Sequence, residues 1–378
     1  MTHNWTYKKL GEVGQVITGS TPTTKDERNY SSKDVCFFKP SDLSSAKLTE
    51  LTSSEFYISS YAYEHSRKLP KDSVLTTCIG IIGKVGILTA DATCNQQINA
   101  IIPNKDIIVP RFLGYSIISI KSLLSERANA PVVPLLNKSQ FSSIEIPIPS
   151  LDEQQSIVAE LDGINRLIDL QEEQLREYDR LAQSLFYTTF GDPATNPKGW
   201  EVKKIGEVAT FINGKAHEQD IDECGSFVLI NSKYISSDAT IFKRTNRQNE
   251  PLYKKDIVMV MSDVPNGKAI AKCLLIKEDD KYTLNQRICA FRDYEFPPLY
   301  LLFSLNRNQY YLNFDNGNSQ TNLRKDDVLG CPIMCPPLAL QQTFAAQIEA
   351  IEQQKELIRR SLNETRTLLA ARMQYYFE

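Results

Sequence analysis

The sequence predicts an α+β protein with two similar globular heads, each followed by a long helix, and with the two helices packing as an antiparallel coiled coil. Three observations carry this. The 378 residues are written twice in the same order. Two proline-free blocks with alternating 4/3 apolar spacing close the two copies. Short β-branched and aromatic runs between Gly, Asn, Ser and Pro turns fill the rest. Long internal repeats outrank any single motif as evidence of architecture. With 42% hydrophobic and 24% charged residues, the chain must bury real cores rather than remain disordered.

The first head spans 1–150. It opens on Trp5-x-x-Lys8-Lys9-Leu10-Gly11-Glu12-Val13 with Ile17 and Gly19. Strand runs follow at 35–38, 74–77, 85–89 and 97–102, a helical pattern at 111–125, and a Pro-punctuated segment at 144–149. Proline in that segment marks an edge strand or an exit loop. The central helix, within 151–192, runs from Leu151 to Phe190. Ser150 offers its N-cap, Asp152 and Glu153 match the helix dipole, and Gly191 with Pro193 ends it. Its seam reads Ile157, Leu161, Ile164, Ile168, Gln171, Leu175, Tyr178, Ala182, Leu185.

The second head, 193–337, repeats the opening as Trp200-x-x-Lys203-Lys204-Ile205-Gly206-Glu207-Val208 with Ile212 and Gly214. Lys71-Asp72 returns as Lys255-Asp256, Gly83-Lys84 as Gly267-Lys268, and Asn95-Gln96 as Asn285-Gln286. Ile146-x-x-Pro149-x-Leu151-x-x-Gln154-Gln155 returns as Ile333-x-x-Pro336-x-Leu338-x-x-Gln341-Gln342. Strands are expected at 227–230, 257–261 and 288–291, and a helix at 299–311. Drifting offsets with a constant order mean a shared framework with loops of unequal length. The last helix, within 338–378, copies the seam as Phe344, Ile348, Ile351, Lys355, Ile358, Leu362, Thr365, Leu369, Arg372. Where one seam carries Gln171 or Lys355 the other carries Ile358 or Ile168. That suits two unlike helices packed together, with pairing in a homodimer as the alternative. At 1.5 Å per residue each is about 60 Å long.

The net charge of −3 gives no global sign of a nucleic-acid binder. By segment it is +3 for 1–150, −7 for 151–195, +1 for 196–337 and 0 for 338–378, so the acidity sits in the first helix. The N-terminus lacks an apolar signal region and no stretch approaches the roughly 20 apolar residues of a spanning helix. A cytoplasmic protein without a membrane partner is expected. The eight cysteines and three histidines lack metal-ligand spacing, so no metal site is expected, and Cys331 and Cys335 read as buried reduced thiols. Gly80-x-x-Gly83-Lys84 and Asn266-Gly267-Lys268 miss the phosphate-loop spacing and read as glycine turns. Pro297-Pro298-Leu299-Tyr300 follows Phe296 rather than the Asn or Asp of an amino-methyltransferase, and reads as structural. With no nucleophile motif either, the residues favour a binding protein over an enzyme.

Two heads and two helices, with Trp-x-x-Lys-Lys-Leu/Ile-Gly-Glu-Val at both head entrances and Pro-x-Leu-x-x-Gln-Gln at both helix openings, resemble the specificity subunit of Type I restriction-modification systems. The resemblance covers essentially the whole chain. The second opening departs from the pattern at Ala339 and Leu340, where the first has Asp152 and Glu153. It implies that each head is a target-recognition domain reading one half of a bipartite asymmetric site in double-stranded DNA. The helices would set the gap and dock two modification (methyltransferase) subunits, joined by restriction/translocase subunits. No cofactor is expected in this chain; S-adenosylmethionine, ATP and Mg belong to the partners. The two heads on one face of a duplex would contact grooves about 34 to 36 Å apart.

Positions shared by both heads should hold the framework or a phosphate, as at Lys8/Lys203 and at Lys84/Lys268. Base readers should lie where the copies differ. Candidate DNA-binding residues are therefore Lys39, Ser41, Arg67, Lys68, Lys84 and Arg127 in the first head. In the second they are Lys243, Arg244, Arg247, Lys268, Asn318, Gln320 and Arg324. Cations suit phosphates and guanine; amides suit adenine. Taken singly, each is more readily a solvated surface residue. Helix-pairing residues are Ile157, Leu161, Ile164, Ile168, Leu175, Phe344, Ile348, Ile351, Ile358 and Leu362. The competing class is a duplicated coiled-coil interaction scaffold whose heads bind peptide or glycan.

Overall fold

A computed structural model describes residues 5–45, 47–128, 134–217, 219–265, 267–317 and 319–377. The chain divides into two compact units, Met1–Gln171 with Arg360–Glu378 and Glu172–Arg359. The units cut through both long helices, so that each takes one head and a half of each helix.

In the first unit β1 (Thr6–Lys9) pairs antiparallel with β10 (Glu145–Ile148), Lys8 opposite Ile146. The Trp-x-x-Lys-Lys opening and the Ile-Pro exit thus clip the two ends of the head together. Pro147 sits in this two-stranded ribbon, where a missing N–H leaves no central ladder broken. A five-stranded sheet follows, ordered β2 (Gly14–Thr18), β9 (Ile98–Pro103), β6 (Val74–Thr77), β7 (Val85–Leu88), β4 (Thr49–Leu51). β6 and β7 are buried at every residue, Thr76 and Thr77 included. A three-stranded sheet is ordered β5 (Tyr57–Ile58), β3 (Val35–Phe38), β8 (Thr93–Cys94), with β3 parallel to β8. Short helices α1 (Ser60–Glu64), α2 (Pro110–Ser119), α3 (Lys121–Arg127) and α4 (Lys138–Ser142) complete it. The continuous helix expected at 111–125 is two, broken at Ile120, whose ψ of 18° departs from helical geometry.

The long helix α5 (Leu151–Phe190) begins and ends where the caps predict. The Glu153 carboxylate accepts from the Ser150 N–H at 3.1 Å, and the Ser150 hydroxyl accepts from the Glu153 N–H at 3.3 Å, a reciprocal capping box. Its first half enters the head's core through Ile157, Val158 and Leu161, which pack with Leu10, Phe112 and Phe141. Asp162 fastens it further, accepting from Arg111 at 2.7 Å and from the Tyr115 hydroxyl at 2.6 Å. Running against it is the end of α11 (Leu338–Phe377). Gln171 donates to the Ser361 hydroxyl at 2.9 Å, and Arg372 and Tyr376 both bind the Glu160 carboxylate at 2.5 Å. Residue 160 faces 372 and 171 faces 361, so the pairing is antiparallel.

The second unit repeats the plan. β11 (Val202–Lys204) pairs with β21 (Pro332–Met334). A four-stranded sheet runs β12 (Thr210–Asn213), β19 (Ile288–Arg292), β15 (Ile257–Val260), β17 (Cys273–Leu275). A three-stranded sheet runs β14 (Lys243–Thr245), β13 (Phe227–Ile230), β18 (Tyr282–Leu284), with β13 parallel to β18. β16 (Ser262–Asp263) pairs with β20 (Thr321–Asn322). Helices α6 (Ile205–Val208), α7 (Ser232–Ser236), α8 (Pro298–Leu305), α9 (Gln309–Leu312) and α10 (Lys325–Leu329) lie between strands. The helix expected at 299–311 is broken by Arg307, whose φ of 55° no helix continues through. As expected, the Pro297-Pro298 motif is structural: Pro298 starts α8 and the Tyr300 hydroxyl donates to the Met334 carbonyl at 2.7 Å.

Here the last half of α5 meets the first half of α11. Phe186 and Phe190 stack around Phe344 with ring centroids 5.6 and 5.3 Å apart, and Ile348 and Ile351 share this core with Tyr300 and Phe291. Lys355, buried in the seam, donates to Asp179 and Glu352, each at 2.6 Å. This pairing is antiparallel too. Every predicted seam residue is buried or half-buried: Ile164, Ile168, Leu175 and Ile358 are half-buried, and Leu362 is buried. Several of them, Ile157, Leu161, Phe344, Ile348 and Ile351, fill a head's core as well as the helix seam.

The repeated glycines and glutamines now have reasons. A Cβ on Gly19 would lie 2.1 Å from the Asn95 carbonyl oxygen, and one on Gly214 1.9 Å from that of Asn285, so only glycine lets these backbones approach. Gln154, fully buried, donates to the carbonyls of Ile107 and Pro149 at 3.0 Å each and accepts from the Val109 N–H at 2.8 Å. Gln341 donates to the Pro336 carbonyl at 2.7 Å, but its own oxygen is buried without a donor. Val109 precedes Pro110 at the start of α2; at the matching place before Pro298 stands Pro297, which has no N–H to give.

Candidate nucleic-acid interface

In the first head the turn after β3 gathers three of the candidates. The Lys39 ammonium lies 3.1 Å from the centroid of the Phe56 ring, a cation–π contact that fixes it. Asp42 accepts from the Lys39 N–H at 2.7 Å and tightens the turn, leaving Ser41 exposed upon it. Lys84, from the β6–β7 hairpin, donates to the Pro40 carbonyl at 3.0 Å. Arg67 lies elsewhere, its guanidinium donating to the Thr18 carbonyl at 2.5 Å, and Lys68 is paired with Glu64 at 2.6 Å. Arg127 is exposed in the last turn of α3.

In the second head the run 243–249 forms the edge of the β14-β13-β18 sheet and the loop beyond it. Its positive charge is answered locally. Arg244 donates to the Gly225 carbonyl at 3.1 Å, Arg247 sits 3.4 Å from Asp220, and Asn246 donates to Asp222 at 2.5 Å. These side chains hold down the loop 215–225. Lys243 is exposed, and three-quarters of the Arg247 side chain remains open to solvent. Gln320, Arg324 and Lys268 belong to a different place, the β16–β20 ribbon and the turn beside it. Gln320 donates to the Ser262 hydroxyl at 2.7 Å, and Ser262 donates to the Asn322 side-chain oxygen at 2.7 Å. Asp263 organises the turn, accepting the N–H groups of Val264, Ala269 and Ile270 at 2.9, 2.6 and 3.1 Å. Lys268 and Arg324 are exposed at its margins. Asn318 lies outside the described residues.

Two further cations lie beside these. Lys121 donates to the Ser45 carbonyl at 3.3 Å, and its stem covers Gly83, where a Cβ would meet it at 2.7 Å. Arg307 donates to the Ile270 carbonyl at 3.1 Å. Each follows the helix after the last sheet strand and braces the same hairpin in its own head. Ile81 and Val264, at the two hairpin tips, are 63% and 64% exposed. Laying residues 78–84 on 261–268 brings out these tips; charge counting passes over them.

The buried chemistry is structural. Burial pushes the thiols of Cys78, Cys94 and Cys331 up to about 12, which keeps them protonated. Cys331 is buried as expected, whereas Cys335 is half-buried, and both are free thiols. The His217 ring lies between the Thr283 hydroxyl at 2.9 Å and the Lys215 carbonyl at 2.7 Å. Among the described residues no group of three or more His, Cys, Asp or Glu gathers to hold a metal ion, and no helix is long and apolar enough to cross a membrane.

Known proteins share both the plan and the sequence. The specificity subunit of the Type I restriction enzyme MjaIX from Methanocaldococcus jannaschii is 32% identical over 230 residues, covering 56% of this chain and 53% of that protein. The EcoR124I/EcoR124II specificity subunit of Escherichia coli is 29% identical over 191 residues, 46% of each chain. The chain thus spans about half the length of these relatives. Among solved structures, the S subunit of a Type I restriction-modification system from M. genitalium superposes with a TM-score of 0.56 at 13% identity, over 99% of this chain and 96% of that one. A chain from a structure of complex assembly and conformational transition in a type I R-M system gives 0.58 at 19% identity, over 98% and 96%. At such identities these two establish the fold. The family described as "Type I restriction modification DNA specificity domain" matches residues 2–178 and again 197–366. Two matches in tandem, on two heads with one framework, make the chain a member of the Type I restriction modification DNA specificity domain family, with two copies of the domain.

Proposed function

We propose that the chain is the DNA-recognition subunit of a Type I restriction-modification complex, each head reading one half of a bipartite asymmetric site. The helix pair sets the gap and docks two modification subunits, and restriction/translocase subunits join them. The chain itself is non-catalytic and works in the cytoplasm. S-adenosylmethionine, ATP and Mg serve the partner subunits. One observation carries this reading: a framework that recurs in both heads, as in the entrance–exit strand pair and the parallel strand pair of the smaller sheet, presents different side chains at equivalent exposed places. That is what a reader of two unlike half-sites requires. A peptide- or glycan-binding scaffold would leave the match to a DNA specificity domain without a purpose. The modest charge of the heads fits a subunit that shares its phosphate grip with its partners.

The helix register supplies the test. A seven-residue insertion in α5 between 171 and 172 has to be matched by one in α11 between 359 and 360, because Glu160–Arg372 and Asp179–Lys355 pin the pairing in each unit. Seven residues add about 10.5 Å of helix, or roughly three base pairs. Methylome sequencing of cells carrying the matched insertion should show both half-sites intact and the gap longer. An unaltered gap beside intact half-sites refutes the spacer role.

A further inference from the structure

In each head a hairpin of the larger sheet, β6–β7 in the first and β15–β17 in the second, ends in a tip whose stem is held by one recurring hydrogen bond. Leu136 donates to the Cys78 carbonyl at 2.9 Å, and Leu323 donates to the Met261 carbonyl at 2.8 Å. Cys78 and Met261 open the two tips, so Ile79 corresponds to Ser262 and Ile81 to Val264, before one extra residue in the second tip brings Lys268 to the place of Lys84. Ile79 bridges Leu135 in the first head, and Ser262 pairs with Asn322 in the second. The backbone is shared while the chemistry is exchanged, an aliphatic pair for a hydroxyl and an amide.

Both turns carry internal hydrogen bonds. In the first, Thr77 donates to the Ile81 carbonyl at 2.6 Å and accepts from the Lys84 N–H at 3.0 Å, while Gly80 and Gly83 take φ of 76° and 80°. In the second, the Asp263 carboxylate ties the turn from inside. Both present an aliphatic side chain to solvent, Ile81 or Val264. Leu135 adds a second exposed side chain, 41% open, to the first tip. Both are flanked by cations at matching positions, Lys84 and Lys121 in one and Lys268 and Arg307 in the other. Apolar or amide-bearing tips framed by positive charge complement a groove floor of base edges framed by phosphates.

We infer that these tips discriminate bases: the Ile79–Leu135 pair with Ile81 reads a thymine through its 5-methyl group, and the Gln320–Ser262–Asn322 chain reads an adenine through its amino group and N7. The relay Gln320→Ser262→Asn322 consumes the Gln320 donor and the Asn322 acceptor. One Asn322 N–H points to the Gln320 backbone carbonyl at 3.5 Å, so the Gln320 side-chain oxygen and the second Asn322 N–H, both on exposed side chains, remain as an acceptor and a donor. Adenine shows that pair reversed in the major groove, N6–H2 to give and N7 to receive. This inference rests on the proposed DNA-reading function and places it on particular atoms.

The test uses the full chain with its modification subunits and a duplex carrying the site found by methylome sequencing. Each thymine of the first half-site is replaced in turn by uracil, which removes only the 5-methyl group. One position should weaken wild-type binding about fourfold, the factor expected from one buried methyl. Ile79→Ser should bind the thymine and uracil duplexes equally, and Ile79→Leu should keep the difference. In the second half-site, 7-deazaadenine at one position should weaken the wild type and leave Gln320→Leu indifferent. Unchanged preference for the opposite half-site shows in each case that the variant is folded. The tip assignment is overturned if no uracil position matters, or if Ile79→Ser discriminates as the wild type does. Absence of any bipartite methylated motif overturns the DNA-reading function itself, so the two failures are separate.

Discussion

Replacing Gln154 by leucine should destabilise the first unit far more than the same change at Gln341 destabilises the second, although both occupy the same place in the repeat. Gln154 is fully buried and satisfies three backbone groups: the Val109 N–H and the carbonyls of Ile107 and Pro149. Leucine of similar size leaves the N–H orphaned, at about 1–3 kcal/mol, and removes two further bonds worth about 0.5–1.5 kcal/mol each. Better burial of an apolar side chain offsets about 1 kcal/mol of this, leaving a loss of about 1–5 kcal/mol. Gln341 makes one such bond, and its oxygen is already without a donor. Leucine there removes an existing penalty along with one bond, for a net change within about 1 kcal/mol. Urea unfolding followed by hydrogen exchange resolves the two units: the Val109 amide should lose protection in Gln154→Leu, while Gln341→Leu stays near wild type. The reciprocal change, Pro297→Val, supplies the missing donor. It should stabilise the second unit by about 1 kcal/mol, after subtracting roughly 0.4–1 kcal/mol for the lost rigidity of proline. Equal losses at the two glutamines, or no gain in Pro297→Val, would refute this account of the asymmetry.

Three further outcomes follow from other contacts. The Arg372 guanidinium and then the Tyr376 hydroxyl hold the Glu160 carboxyl below its ordinary range, against the opposing effect of its partial burial. Its contribution is therefore complete above the usual glutamate range and is lost as pH falls through the depressed folded value. The stability gap between wild type and Glu160→Gln, measured by denaturant titration, should close on acidification below that range; a gap that widens contradicts the pairing. Lys355 is buried in the helix seam, where it donates to Asp179 and Glu352. Lys355→Met should leave stability within about 1 kcal/mol or raise it, since buried pairs pay for desolvation, and a loss beyond 3 kcal/mol in thermal unfolding would contradict this. Gly19→Ala and Gly214→Ala force a Cβ against a backbone carbonyl and should each cost about 1–3 kcal/mol, read as a lower melting temperature; wild-type melting in either would show that the close approach relaxes freely.

The glutamine pair also marks how far the repeat can be read. Its motif shows that two equivalent side chains matter, and Pro297 is visible one residue before Pro298. Yet nothing in the sequence brings position 109 to 154, because that contact crosses 45 residues. The candidate site divides in the same way. Lys39, Ser41 and Lys84 come together on one turn, as do Lys268, Gln320 and Arg324 around another. Arg244 and Arg247 carry the densest basic run of the sequence, yet their charge is engaged by the loop 215–225. A count of cations takes no account of acceptors that arrive from elsewhere in the chain. The turns at the tips are legible from their glycines, but Ile81 and Val264 resemble ordinary core residues until their exposure is known.

By itself the sequence determined the duplicated plan and the two helices from Leu151 to Phe190 and from Leu338 to Phe377, caps and seam included. Helix propensity, capping and 3.6-residue periodicity act within a few residues, so they are written locally. Only the tertiary structure decided which halves of the helices join which head, that the head entrances pair with the head exits, and which cations are engaged by the chain's own oxygens. Those outcomes depend on strand pairing and side-chain contacts between residues far apart in sequence, where register and burial choose the partner and local pattern has no vote.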